Sequence, residues 1–116
     1  MEAQLYQDTS LMNRIENAVE HLACGTGNLR DRLIAGCVAN LEFLNADDFP
    51  EELRPLWIEL QQLLSQPDPN NWPMSRQYGL YHYNLHTMSG SAKRRCARII
   101  FSSYRKLARY PSPTSR

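Results

Sequence analysis

Two residue pairs in this chain have a spacing suited to chemistry. His21 and Cys24 are three apart and His82 and His86 four apart, so either pair can share one helix face, as metal ligands do. A tetrahedral zinc site needs four ligands, and only Cys37 and Cys96 remain as further thiols. Cys37 falls on an apolar stripe and Cys96 on the inward arc of the last helix, positions where free cysteine serves as a small core residue. Cys24 beside His21 sits at the C-terminal end of a helical pattern, where the dipole disfavours a thiolate. His82 and His86, flanked by Tyr81 and Tyr83, would be the acid–base pair of a small enzyme. The ordinary account is that these rings cover the fold with their polar tips outward. Asp47, Asp48, Glu51 and Glu52 lack the Asp and Gly spacing of a calcium loop, and no Walker loop, dinucleotide fingerprint or nucleophile elbow is present. The chain reads as a non-enzyme with no cofactor and no metal.

The more informative chemistry is cationic. On a helical wheel over residues 90–108, Ala92, Cys96, Ile99, Ile100, Ser103 and Leu107 form one arc. Arg94, Arg95, Arg98, Arg105, Lys106 and Arg109 form the opposite arc, Lys93 lies at its edge, and Phe101 projects among the arginines. Arginine suits planar recognition of carboxylate or phosphate. Such a face is expected to dock on a protein partner with an acidic surface. The alternative is direct nucleic-acid binding, in which the same arginines follow phosphates. Trp72, Tyr78, Tyr81, Tyr83 and Phe101 would then supply stacking or interface aromatics. A third account leaves the face solvated, partly neutralised by Glu42, Asp47, Glu51, Glu52 and Glu59.

Charge is divided sharply along the chain. All 12 acidic residues lie at or before Asp68, together with only Arg14, Arg30, Arg32 and Arg54, a formal −8. The other nine of the 13 Lys and Arg follow, from Arg76 to Arg116, a formal +9, which leaves the near-neutral total of +1. A molecule this dipolar is built for an electrostatic partner.

The elements that must position these groups are helices. Ser10 is the expected N-cap of a first helix over about 11–24, with Leu11, Ile15, Ala18, Val19 and Leu22 at helical spacing and a Gly25-Thr26-Gly27 stop. Asn28, with Asp31 in the capping-box position, opens a second helix over 29–44, striped by Leu29, Leu33, Cys37, Leu41 and Leu44. Asp48 and Glu51 have the spacing of another box. Pro55 predicts a short turn over 50–53 before the main part of a third helix, which runs to about Ser65 and carries Trp57 into the core. Residues 66–88 are expected to be irregular: three prolines open the stretch, Gly79 interrupts it, and its apolar residues fit strand and helix equally. Trp72 is expected to pack back onto the fold. Ser89 caps the basic helix over about 90–108, and 111–116 form a flexible tail.

The expected architecture is all-α, a single-domain bundle of four main helices over residues 1–110. At 116 residues the chain suits one core. No apolar run approaches the ~20 residues of a membrane span, and the start of the chain lacks the pattern of a signal peptide. Three cysteines without C-x-x-C spacing point to reduced thiols and a cytoplasmic setting. The expected function is non-catalytic: a small helical subunit, adaptor or inhibitor that docks in a larger assembly through its basic face.

Overall fold

Leu11, Ile15 and Ala18 recur every three or four residues, and all three are buried on one side of the first helix. The computed structural model describes residues 9–42 and 44–109, and they form six α-helices: α1 Thr9–Cys24, α2 Leu29–Asn40, α3 Arg54–Leu64, α4 Pro73–Tyr78, α5 Leu80–Thr87 and α6 Gly90–Ala108. Two 3-10 turns, Ala46–Asp48 and Glu51–Leu53, connect α2 to α3. No strand occurs among the described residues. The tail expected over 111–116 lies outside them.

α1 begins by Thr9, so Ser10 lies inside the helix and not at its N-cap. It ends where the Gly25 amide donates to His21 O, and Gly27, at φ 91°, takes the left-handed turn that glycine tolerates. Arg32 reaches back to Leu22 O at 2.6 Å, so α2 caps the exposed end of α1. The two helices cross tightly at Gly36, where a methyl group would lie 3.1 Å from Ala18 O. Asn28 caps α2 by accepting from the Asp31 amide at 2.9 Å.

α2 is shorter than its apolar stripe. It stops at Asn40, whose side chain donates to Gly36 O while its carbonyl accepts from Arg14 Nη1. These side-chain bonds satisfy the end of the helix four residues early, yet Leu41 and Leu44 still turn inward. Asp48, whose spacing pairs it with Glu51, accepts from the Asn45 amide at 2.8 Å. Pro55 lies in the first turn of α3, where its missing N–H costs no helix bond. Trp57, Leu60 and Leu64 follow on the buried face.

The irregular segment expected over 66–88 is largely helical. Pro73 opens α4, and Gly79, at φ 92°, both ends it and begins α5. Helical periodicity is hidden in α5 because the helix is wedged between α2 and α3 and rests on α4. Tyr81, Tyr83, Asn84 and Leu85 are all buried, so no single stripe stands out. The four long helices of the sequence reading thus become six.

α6 has the bounds its sequence indicates and packs on α1, α2 and α3. Leu33, Leu41, Leu60 and Ile99 are fully buried in one cluster with Phe49 and Trp57. Among the described residues, no helix is long and apolar enough to cross a membrane.

Candidate binding surface

The basic face exists because α6 is amphipathic and capped at its start. Ser89 Oγ accepts from the Ala92 amide at 3.1 Å. Burial of Cys96, Ile99, Ile100, Ser103 and Leu107 then leaves the opposite arc no choice but solvent. Arg94, Arg95, Arg98, Arg105, Lys106 and Arg109 are all exposed. Phe101 stands among them at 49% exposure, a large apolar ring left in solvent. Arg94, Arg98, Phe101, Arg105 and Arg109 follow one another at helical spacing, so they form a single line along α6. The Arg105 guanidinium lies 5.9 Å from the Phe101 ring centroid, within cation–π range. Tyr104 lies tilted beside the same ring at 6.5 Å.

Self-neutralisation of this face is slight. Arg95 makes two bonds of 2.7 Å to the carboxylate of Glu59 on α3. That hydrogen bond lowers the Glu59 pKa and raises that of Arg95. Both groups are exposed, so the pair orients the side chains more than it stabilises the fold. Among the described residues, no carboxylate lies within ion-pair distance of Arg94, Arg98, Arg105, Lys106 or Arg109. Of the acids considered as internal partners, Glu59 pairs with α6.

The aromatic set divides. Tyr81 and Tyr83 are only 7% and 9% exposed, so neither ring is presented for stacking on a base. Burial raises the pKa of the Tyr81 phenol. Tyr78 is exposed, and its ring stacks on His82, which in turn lies 4.8 Å from His86. Trp72, expected to pack back, is instead 46% exposed and touches Tyr83 only edge-on, at 5.9 Å. The loop that carries it is pinned by one side chain. Asp68 accepts from the Trp72 amide, the Asn70 amide and Ser75 Oγ, which fixes the loop around its own turn. Burial of Asp68 opposes its ionisation, but these hydrogen bonds and one from Tyr83 outweigh it and lower its pKa.

The groups first considered for chemistry sit apart. Cys37 and Cys96 are buried and Cys24 is exposed. Burial, and then Cys96, push the Cys37 thiol well above the usual thiol range; burial and Glu59 raise Cys96 to about 11. Both are therefore thiols at neutral pH, as a core position favours. His86 is held below the ordinary imidazole range by burial, then by His82 and by the cations Arg30 and Lys93. Among the described residues, no three His, Cys, Asp or Glu side chains converge as a metal cluster would.

Sequence reasoning passed over Asn84 and Arg30. Asn84 is buried, and its amide nitrogen lies 2.8–3.0 Å from Leu64 O, Gln66 O and Leu80 O. It thereby ties the end of α3 to α5. An asparagine inside an apolar pattern is the signal that marks such a position. Comparison with protein-family models, with curated proteins and with solved structures finds no match.

Proposed function

We propose that this protein is a non-catalytic binding subunit that docks on an acidic protein surface through the outward face of α6. The observation that supports this most is the exposed Phe101, placed in a line of arginines that have no carboxylate partner among the described residues. An aromatic anchor with an arginine rim is the composition enriched at protein–protein hot spots. The rim steers the encounter and the ring supplies the apolar burial. Burial of Tyr81 and Tyr83 favours this over a stacking nucleic-acid groove, because two of the candidate stacking rings face inward.

The test is affinity capture with the full chain, then titration of the recovered partner against variants. Arg98→Glu/Arg105→Glu and Phe101→Ala should each weaken binding at least tenfold while leaving the melting temperature within a few degrees. Random-sequence single-stranded oligonucleotide should bind weakly or not at all. Micromolar oligonucleotide binding, with log affinity falling by ~0.7 per phosphate contacted against log salt, would replace the protein reading if Phe101→Ala left it intact. Capture unchanged by the arginine reversals would remove the face from consideration.

A further inference from the structure

α2 and α6 meet with their first turns side by side, and a cavity of about 220 Å³ lies between them. Asn28, Leu29 and Arg30 line it from α2; Gly90, Lys93 and Arg94 line it from α6. Three cations thus converge on a small concavity whose lining contains no carboxylate. Asp31, outside that lining, forms an ion pair with Arg30 Nε at 3.7 Å. Its other oxygen turns towards Gly27, where a methyl group would meet it at 2.7 Å.

The hydrogen bonding of this cluster is incomplete. The Arg30 side chain is partly exposed and ion-paired with Asp31, yet its Nε is shielded from solvent and makes no hydrogen bond among the described residues. A methyl group at Gly90 would lie 3.5 Å from Arg94 Nη1, so that guanidinium rests over the first turn of its own helix. A helix start carries partial positive charge, so a cation there is disfavoured unless an anion sits between. The first-residue amides of both helices, Leu29 and Gly90, have no backbone acceptor among the described residues, as at any helix start. Guanidinium forks, an ammonium and free amides are the donors that phosphate oxygens take. The volume is below the ~300 Å³ of a typical drug-sized pocket and suits a small anion. We propose that this cavity binds a phosphate group, held by Arg30, Lys93 and Arg94. Inorganic phosphate and a nucleoside monophosphate offer the same group, and the cavity recognises what they share.

The site is independent of the docking line except for Arg94, so the two readings can fail separately. The full chain, labelled with ¹⁵N, would be titrated with inorganic phosphate and with a nucleoside 5′-monophosphate, against sodium chloride matched in ionic strength. Saturable shifts at the Leu29, Arg30 and Gly90 amides are expected with both. Equal affinities would show that the phosphate alone is held, and tighter binding of the nucleotide would show that its remainder also makes contact. Arg30→Gln/Lys93→Gln should weaken binding at least tenfold, Lys93→Arg should retain it, and Arg98→Glu/Arg105→Glu should leave it unchanged. Failure of wild-type protein to show saturable shifts in millimolar phosphate would overturn the proposal whatever the variants do. So would shifts that the double glutamine variant keeps in full.

Discussion

Trp57→Ala should lower the unfolding free energy by about 3–5 kcal/mol, enough to unfold a marginal domain of this size. Trp57 is 1% exposed, and its ring stacks on Phe49 with centroids 4.5 Å apart and planes inclined by 26°. Truncation would leave a cavity among Phe49, Leu53 and Leu60, which pack in the same cluster. Trp57→Phe is expected to cost less than ~1.5 kcal/mol. It keeps an aromatic ring against Phe49 and removes an indole N–H that is buried without an acceptor among the described residues. An unmade hydrogen bond of that kind costs about 1–3 kcal/mol, which offsets part of the lost volume. Urea unfolding midpoints of the two variants decide the matter. Equal losses would show that the indole nitrogen does have a partner, such as an ordered water.

Asn84→Asp should be nearly as damaging, and its effect should depend on pH. The side chain stands at 5% exposure facing three carbonyl oxygens, and donation by the amide is what makes the position tolerable. A carboxylate there cannot donate, repels those oxygens and is desolvated, a loss of about 3–5 kcal/mol for a buried charge without a partner. Burial raises the folded-state pKa of the introduced carboxyl above its unfolded value of about 3.9. The penalty is therefore small at and below that value, where the carboxyl is neutral and can donate one hydrogen. It grows as pH rises towards the folded pKa and is complete above it. Relative to wild type, the variant should be most destabilised at pH 7 and approach wild-type stability near pH 4. A pH-independent difference between the two would mean that the introduced side chain reaches solvent.

Helix by helix, legibility followed the range of the interactions involved. α6 was readable to its ends because a local serine cap, a clean wheel and a following proline-rich stretch agree with one another. The turn before α3 was readable because Pro55 acts only on its immediate neighbours. The end of α2 was not: Arg14, 26 residues away, takes the carbonyl that closes it. α4 and α5 were missed because α5 is surrounded by three other helices, which erases the periodicity that a half-buried helix displays.

The same division holds at the candidate sites. The sequence by itself determined that one arc of α6 is cationic and that Phe101 lies on it, since periodicity and residue type need no partner element. Only the tertiary structure decided that Glu59 engages Arg95 and that Tyr81 and Tyr83 turn inward while Trp72 faces out. It also brought Arg30 from the acidic half beside Lys93 and Arg94. The physical reason is that burial and charge pairing depend on which helix arrives opposite, and that is set by packing across the whole chain.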